Sequence, residues 1–586
     1  MTCAQDGRIM ATTIAPPGSG VETKPLTLFS LDTSTDALRI VPLGGVEEFG
    51  MNMTCYEVGE ERIVVDCGAM FPDADMLGVD LVIPDVSCLL AAPERLKAIV
   101  LTHAHDDHIG ALPYLLPDLQ VPVYGTPLTL AFLRSKLEEF DLLDRVEMIQ
   151  LEYDAPVRIG RHFEIQAIHV THSVPDAASL AIRTPAGIVV HTGDYKIDYA
   201  PVTGGLFDFS SLAKLGDEGV LALVADSTNA EIPGSTHTER WVRRHLEPIF
   251  ATSNRAIFCT TFSTSVHRLQ VLMDLAVEFD RMIFVAGRSF ERTLGIASEL
   301  GYLRPPRDRI RPLRDIELAP PAKRLILATG SQAEPLSVMS RLAVGEHRQL
   351  EVQEGDTIIL SARVIPGHLR PISRMTNHFY KRGARVFDSL TSKVHASGHA
   401  CSEEMKTMIS MVRPRYLIPV HGELRQLMAH RDIALGLGFD PASIFIITDG
   451  DVLELNDRRA GVVNKVMTGH VLVDGKTIGE TGEVVLRDRQ HLSEDGILMA
   501  ILNVDRQTGA LINEPEIVTR GFVYVDESEE LINELRHLVR ESFESCPKEV
   551  REDPDVLNAE IRRALRKFIR RNYDRYPVIL PVVQEL

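Results

Sequence analysis

The sequence predicts an α/β fold in which β-sheets are covered by helices. Short apolar runs, such as residues 39–43, 62–65 and 98–101, are separated by Gly, Asp and Pro, as expected of brief buried strands. Helical stretches at residues 128–143 and 240–250 lie between such runs. Because strands and helices alternate along the chain, a layered α/β architecture follows.

Length and composition predict several globular domains. The chain has 586 residues, of which 45% are hydrophobic and 25% are charged. Residues 1–36 are rich in Thr, Pro, Gly and Ser without periodicity, which predicts a disordered extension. A second alternating stretch at residues 229–376 predicts a separate α/β lobe. Turn-rich segments follow residue 457, and this change in composition predicts a further domain.

Charge and cysteine content narrow the classes of function. The formal net charge of −20 argues against a broad, sequence-independent attraction to nucleic-acid phosphates, so any nucleic-acid site must be local. The seven cysteines form no C-x-x-C pair, which predicts a reducing, cytoplasmic location. No apolar run approaches the roughly 18 residues of a membrane span, so no membrane partner is expected.

The strongest chemical signal is the cluster His103-x-His105-x-Asp107-His108, which directly follows a predicted strand. Three imidazoles and a carboxylate within six residues suit borderline metals such as zinc or manganese. His103 and His105 are two residues apart in extended chain and project to one side, while Asp107 and His108 follow at the turn into a helix. The alternative is a solvated polar loop, which seldom holds so many metal ligands.

Further candidate ligands follow later apolar runs. They are His172, Asp194 and His421, with Asp194 available as a bridge between two adjacent metal sites. Taken singly, each fits a capping or core polar group as well as a ligand. Asp66 ends another apolar run and could orient a ligand histidine from behind, or simply end its strand.

The order of these residues resembles the metallo-β-lactamase fold, whose motifs match Asp66, the 103–108 cluster, His172 and Asp194. Asp226, His399 and His421 resemble the three additional motifs of the β-CASP nucleases, which act on nucleic acids. Within that group, the chain resembles the bacterial ribonuclease J family over residues 39–586. The stretches that carry this resemblance are residues 44–50, 76–80, 225–231, 328–332, 419–423 and 479–486.

This resemblance implies a domain plan and an activity. A metallo-β-lactamase αββα sandwich would occupy residues 37–228 and 377–455, interrupted by a β-CASP lobe at residues 229–376. A linker at residues 456–465 and a small α+β C-terminal domain at residues 466–586 would follow. The implied activity is metal-dependent cleavage of RNA, both internally and 5′-to-3′ from 5′-monophosphate ends, in RNA maturation and mRNA decay.

The same resemblance implies roles for the candidate ligands. Two divalent ions would be bound per subunit, zinc first, with manganese or magnesium as alternatives. One ion would be held by His103, His105 and His172, and the other by Asp107, His108 and His421, with Asp194 bridging. His399 would protonate the departing 3′ oxygen, so that the expected catalytic residues are Asp107, Asp194 and His399. Asp66 and Asp226 would support the ligands from behind.

Phosphate recognition is expected from two short segments. One comprises His395, Ala396, Ser397, Gly398 and His399, and the other, which the resemblance implies, comprises Thr264, Ser265, His267 and Arg268. Residues 262–265 keep a hydroxyl but lack the amide usual in the family, and residues 366–369 replace a more usual Pro-Gly-Asn-Glu. These departures concern binding of the RNA 5′ end rather than the chemistry of cleavage.

The family resemblance also implies a structural cation outside the active site. Leu77, Val79 and Asp474 occupy the matching positions, and calcium is the ion expected there. The alternative for Asp474 is an ordinary turn aspartate before Gly475.

A basic helix near the C-terminus is the last candidate feature. Residues 558–575 hold seven basic residues against two acidic ones, with an apolar stripe formed by Ile561, Leu565 and Phe568. The helix could present a solvated basic face, contact RNA or form a subunit interface. The expectation is assembly, because the resemblance implies homodimers or homotetramers, together with RNA and other RNA-decay proteins as partners.

Two other functions compete with a ribonuclease. A small-molecule hydrolase could use the same metal motif on an ester or lactam, but it needs neither a second lobe nor a phosphate pocket. A catalytically idle RNA-binding scaffold would have no need to keep Asp194 or His421.

Overall fold

A computed structural model describes residues 37–586, except residues 74, 154, 366, 476, 480, 481, 524–527 and 552. The predicted extension at residues 1–36 lies outside the described residues. The strands of the sandwich and its edge are β1 (Leu38–Gly44), β2 (Met53–Val58), β3 (Glu61–Val65), β4 (Leu81–Pro84), β5 (Leu96–Val100), β6 (Val123–Gly125), β7 (Met148–Gln150), β8 (Val157–Ile159), β9 (Phe163–His169), β10 (Ala178–Thr184), β11 (Gly187–His191) and β12 (Val220–Asp226).

The remaining strands are β13 (Ile257–Thr260), β14 (Met282–Ala286), β15 (Ile310–Arg311), β16 (Arg324–Ala328), β17 (Thr357–Leu360), β18 (Arg385–Asp388), β19 (Tyr416–Val420), β20 (Asp451–Leu455), β21 (Ala460–Lys465), β22 (His470–Asp474), β23 (Thr477–Ile478), β24 (Ile497–Val504), β25 (Glu516–Arg520) and β26 (Val578–Glu585).

The helices are α1 (Ser87–Leu90), α2 (Asp106–Ile109), α3 (Leu112–Leu119), α4 (Pro127–Glu139), α5 (Phe209–Glu218), α6 (Glu239–Thr252), α7 (Val266–Glu278), α8 (Arg288–Glu299), α9 (Val338–Val344), α10 (Leu369–Lys381), α11 (Ser402–Val412), α12 (Leu424–Gly436), α13 (Glu483–Glu494), α14 (Glu529–Ser545), α15 (Lys548–Arg551) and α16 (Pro554–Tyr573).

Two sheets pack face to face to form the sandwich. The first has the strand order β21-β20-β1-β2-β3-β5-β6-β7, and the second has the order β19-β12-β11-β10-β9-β8. An apolar cluster contributed by both sheets, including Ile63, Val100, Leu180 and Val224, fills the space between them. Helices α5, α11 and α12 cover the outer face of the second sheet. The predicted αββα sandwich is confirmed.

An α/β lobe is inserted between β12 and β19. Its parallel sheet has the order β15-β14-β16-β13-β17-β18, and α6, α7, α9 and α10 pack with it. The predicted end of this lobe at residue 376 is too early, because β18 pairs with β17 in parallel register, Thr357 opposite Arg385. The lobe therefore continues to Asp388.

The predicted linker is also displaced. Residues 460–465 are not a free connection, because β21 pairs with β20 at the edge of the first sheet. The next strand, β22, pairs with β4, so the chain stays on the sandwich until about residue 478. The C-terminal domain proper begins at α13 and has a three-stranded sheet in the order β25-β24-β26.

The apolar stripe of the basic C-terminal helix has its partner within the same domain. Ile561 and Leu565 are fully buried on α16, in a cluster with Leu535 and Val539 of α14 and with the domain's sheet. Phe568 packs against the edge of this cluster. The stripe is therefore covered within its own domain and does not by itself require a second subunit.

None of the helices in the described part of the chain combines the length and apolar character that crossing a bilayer requires.

Candidate metal centre

The histidine cluster sits where β5 ends and the short helix α2 begins. Backbone amides from two neighbouring loops hold this segment in place: Asn52 donates to the Asp107 carbonyl at 3.0 Å and Cys67 donates to the His108 carbonyl at 2.7 Å. Gly68 passes so close that an added Cβ would lie 1.7 Å from the Asp107 carbonyl oxygen. The turn that carries the ligands is therefore fixed by backbone contacts rather than by its own sequence.

The predicted ligands converge into two groups. His103, His105, His172 and Asp194 form one, and Asp107, His108, Asp194 and His421 form the other; the candidate ligand atoms of each group lie within 4.8 Å of one another. In the first group, His105 Nδ1 lies 3.0 Å from His103 Nε2 and 3.1 Å from His172 Nε2. These imidazoles share one small space and are almost completely buried, apart from that of His105.

Asp194 belongs to both groups. Its Oδ2 lies 3.5 Å from His103 Nε2, while its Oδ1 lies 3.3 Å from His108 Nε2. Both oxygens are buried, and neither accepts a hydrogen bond in the described structure. A buried carboxylate without donors is costly unless a cation compensates it. The donor set of imidazole nitrogens and carboxylate oxygens therefore fits divalent metal ions.

Three of the five ligand histidines are oriented by a bond to the other ring nitrogen. His108 Nδ1 donates to Asp66 Oδ2 at 2.7 Å, and His172 Nδ1 donates to the Gly398 carbonyl at 2.6 Å. His421 Nδ1 lies 2.6 Å from the Thr228 hydroxyl, which itself donates to Asp226 and so accepts from the ring. These bonds leave Nε2 of all three rings turned toward Asp194.

Asp66 supports the cluster in a second way. Its carboxylate accepts from the Thr102 amide and from the Thr102 hydroxyl, both at 2.8 Å. The same hydroxyl lies 3.1 Å from His103 Nδ1. Asp66 thus contacts His108 directly and His103 through the Thr102 hydroxyl. This is the position expected for a residue that orients ligands.

The two groups differ in their proton affinity. Burial and the neighbouring His108 hold the pKa of His103 well below its usual value, and burial with His105 does the same for His172. Burial opposes protonation of His421 too, but Asp194 and Asp107 outweigh it and raise the pKa to about 9. The three histidines of the first group are therefore neutral and ready to bind metal at neutral pH, whereas His108 and His421 of the second must release protons to do so.

His399 lies beside the two groups. Its Nδ1 donates to Asp226 Oδ2 at 2.9 Å and lies 3.8 Å from Asp194 Oδ2. Asp226, His399, Asp194 and His421 also qualify as a third set of potential ligands. If the ring keeps its Nδ1 proton for Asp226, Nε2 is the atom free to serve the reaction.

Gly398 lies against the ligand His172. An added Cβ at this position would lie 2.5 Å from Cε1 of His172. We expect Gly398→Ala to displace that ring and to weaken metal binding by about 10- to 100-fold, the usual cost of disturbing the support of a ligand. Metal content per chain, measured after dialysis against limiting zinc, checks this.

Gly436→Ala is the matched control, because an added Cβ there meets nothing within 4 Å. Gly398→Ala protein with the metal content of the control would contradict the prediction.

The residues of the two predicted phosphate-binding segments differ in their accessibility to solvent. Ser397 is partly accessible, and the Asn229 amide donates to its hydroxyl at 2.9 Å. Ala396 and Ser265 are buried, and Thr264 is partly accessible at the start of α7. His395 Nδ1 is buried without a hydrogen-bond partner among the described residues. Ser397, His395 and Thr264 thus remain candidates for contact with RNA.

Arg268 does not face RNA, contrary to the prediction. Its guanidinium is buried, with Nε 2.7 Å from one Glu239 oxygen, Nη2 2.9 Å from the other and Nη1 2.9 Å from the Val394 carbonyl. It ties α7 to the segment before His395. His267 is likewise buried, with its Nδ1 3.0 Å from the Thr203 hydroxyl. Both side chains therefore hold protein segments together and are not exposed to a substrate.

The proposed structural cation site does not fit a cation in this chain. The Arg489 guanidinium donates to the Leu77 carbonyl at 3.1 Å and to Asp474 Oδ2 at 2.6 Å. Two of the three groups expected to hold calcium are therefore bonded to a positively charged side chain. Val79 is buried in a small apolar cluster beside them.

Sequence reasoning missed three contributors to the centre. Thr228 orients His421, and Asn229 bonds both Ser397 and the His399 carbonyl. Both residues lie within three positions of Asp226, so their closeness in sequence was an available signal. Asn52 lies 3.2 Å from His108 Nε2 through its side-chain amide, and no local pattern marks it.

Family comparisons agree with this architecture. Residues 61–257 match the beta-lactamase superfamily domain, residues 253–379 the ribonuclease J beta-CASP domain, residues 389–441 the Zn-dependent metallo-hydrolase RNA specificity domain and residues 484–586 the ribonuclease J C-terminal domain. These matches run in the same order as the sandwich, the inserted lobe and the C-terminal domain.

Similar proteins align over nearly the whole chain. Ribonuclease J2 of Bacillus subtilis is 38% identical over 553 residues, covering 94% of this chain and 99% of that protein. Ribonuclease J of Thermus thermophilus is 38% identical over 558 residues, covering 94% and 96%. Ribonuclease J of Synechocystis is 36% identical over 562 residues, covering 94% and 87%. These relatives and the order of its domains show that the chain belongs to the ribonuclease J family.

Proposed function

We propose that this protein is a metal-dependent ribonuclease that hydrolyses RNA phosphodiester bonds where the sandwich meets the inserted lobe. The observation that carries the proposal is Asp194, whose two oxygens face separate ligand groups and accept no hydrogen bond in the described structure. The adjacent Ser397 hydroxyl and the unpartnered His395 Nδ1 supply polar groups for a phosphate. The names of the relatives and the RNA specificity domain support RNA as the substrate.

The two ligand groups support the binding of two ions. His103, His105 and His172 would hold one, Asp107, His108 and His421 the other, and Asp194 would serve both. Ions held there supply Lewis-acid polarisation of the phosphate and a water nucleophile near neutral pH. Zinc is the first choice, because the matched RNA specificity domain is described as part of a Zn-dependent metallo-hydrolase. Manganese and magnesium are the alternatives.

The chain's own residues position the substrate and move the proton. The Ser397 hydroxyl accepts from the Asn229 amide and from the His399 backbone amide, so its own proton is free for a phosphate oxygen. When the bond from phosphorus to the 3′ oxygen breaks, that oxygen needs a proton. His399 Nε2 would donate it, and the Asp226 carboxylate compensates the charge of the doubly protonated ring.

We further propose that cleavage occurs both within RNA and from 5′-monophosphate ends. The test incubates purified protein with end-labelled RNA carrying either a 5′ monophosphate or a 5′ triphosphate, with zinc, manganese or magnesium. Mononucleotides released from the 5′-monophosphate RNA alone, together with internal fragments from both RNAs, are expected. An absence of cleavage with every metal would contradict the proposal, while cleavage of a β-lactam or small ester instead of RNA would favour the alternative hydrolase.

Assembly and location stay predictions. Homodimers or homotetramers and contacts with other RNA-decay proteins rest on the family resemblance, since the stripe on α16 is used inside its own domain. Light scattering on the full chain tests the assembly, and a monomeric mass would contradict it. The cytoplasmic location rests on cysteine content, and the six described cysteines are free and buried.

A further inference from the structure

An arginine that pairs with no carboxylate among the described residues lies beside the predicted phosphate pocket, the space next to the metal centre lined by Ser397 and His395. Arg363 follows β17 of the inserted lobe, and its Nη1 donates to Asn229 Oδ1 at 2.5 Å. Asn229 Nδ2 in turn donates to the Ser397 hydroxyl at 2.9 Å and to the His399 carbonyl at 3.1 Å. A continuous set of contacts therefore connects this guanidinium to the residues next to Asp194.

Three other basic side chains near His395 and Asn229 are already paired with carboxylates. Arg268 is paired with Glu239 in the buried wall, and Lys196 lies 3.8 Å from Asp198. Arg425, at the start of α12, is paired with Glu231 and Glu423. Arg363 makes no ion pair within the described residues, and four of its five N–H groups have no acceptor there.

The backbone that carries Arg363 is held in place. The Gln332 side-chain amide donates to the Arg363 carbonyl at 2.8 Å, and its oxygen accepts from the Ile365 amide at 2.9 Å. The side chain itself is exposed, so a ligand can reach it. Asn229 and Gln332 thus fix an arginine at the mouth of the pocket with its donors unused.

We propose that Arg363 binds a phosphate group of RNA, together with the Ser397 hydroxyl, and supplies an unpaired positive charge to this pocket. The inference rests on the proposed function and names a residue that recognises the substrate. Guanidinium and phosphate match as donor and acceptor, and such charge-assisted bonds are among the stronger ones. In a chain of net charge −20, a local unpaired cation is what attraction of RNA requires.

The phosphate could belong to the RNA 5′ end or to an internal phosphodiester, and the experiment distinguishes the two. Arg363→Gln and Arg363→Lys are compared with the unmodified chain on oligonucleotides that carry either a 5′ monophosphate or a 5′ hydroxyl. KM and kcat are measured on metal-loaded protein. Binding is measured by fluorescence anisotropy in a His399→Ala background, which is expected to keep its metal, at times short enough that the slow residual cleavage does not interfere.

For Arg363→Gln we expect about tenfold weaker binding, a matching rise in KM, a kcat within about threefold and a salt slope lower by about one. Arg363→Lys should recover part of the affinity. A loss confined to the 5′-monophosphate RNA assigns the end phosphate, and an equal loss on both RNAs assigns an internal one. Either pattern supports the proposal.

Arg425→Gln is the matched control, because it removes the same charge from a side chain already bonded to two carboxylates. We expect its affinity to change less than twofold. Unchanged binding and salt slope in Arg363→Gln, or the same loss in Arg425→Gln, would overturn the proposal. Failure of the unmodified chain to cleave RNA would instead count against the proposed function, and the binding measurements would still decide the role of Arg363.

Discussion

Asp194→Asn is expected to abolish RNA cleavage, by about 10⁴-fold or more, and to remove bound metal. The carboxylate is the group shared by both ligand groups, with one oxygen toward His103 and the other toward His108. An amide at this position turns an N–H donor toward one group and removes the negative charge that both need. Losses of this size are typical when one member of a catalytic unit is removed.

The measurement combines RNA cleavage with metal content per chain. Asp176→Asn is a suitable control, because Asp176 is another buried aspartate, bonded to the Leu128 amide, whose pKa burial raises to about 7. The control should keep its metal and its activity. Asp194→Asn protein that retains two ions and cleaves RNA at the normal rate would contradict the shared role of this carboxylate.

His399→Ala should reduce kcat by about 10²- to 10⁴-fold while the metal content stays unchanged. The reason is its position, with Nδ1 committed to Asp226 at 2.9 Å and Nε2 left for the departing oxygen. An RNA analogue in which sulfur replaces the bridging 3′ oxygen has a thiolate leaving group that needs no proton. It should narrow the difference between the variant and the unmodified chain.

The competing role for His399 is that of a metal ligand. It lies within the third set of potential ligands, with Asp194, Asp226 and His421. Loss of an ion from His399→Ala, with activity recovered at high metal concentration, would refute proton donation and make the residue a ligand. An Asp226→Asn variant tests the role of this carboxylate, because it leaves the His399 ring in place but removes the negative charge that compensates the protonated ring.

The centre was predictable because its ligands lie at strand ends in short, dense motifs. His103, His105 and His108 follow β5, Asp226 is the last residue of β12, and His421 follows β19. Strands that end at one edge of a sandwich bring such residues together, so the local pattern carries most of the information. The contacts that orient them, such as His172 to the Gly398 carbonyl, join residues 226 positions apart and leave no local trace.

The errors also have physical causes. The stripe of Ile561 and Leu565 correctly predicted an amphipathic helix, but periodicity does not say which surface covers it, and α14 of the same domain does. The family resemblance assigned Arg268 to phosphate binding. The sequence does not reveal its buried partner, Glu239, which lies 29 residues away on another helix. The short strand β21, with four exposed residues out of six, has the composition of a linker and is defined only by its pairing with β20.

The most direct test of the account is metal titration of the full-length chain stripped of metal, followed by RNA cleavage and by bound metal per chain. We expect no cleavage without metal, and activity that rises as ions bind and reaches its maximum at two ions per chain. Full ribonuclease activity at a metal content below one ion per ten chains would contradict the central claim that the ligand groups sharing Asp194 perform the reaction.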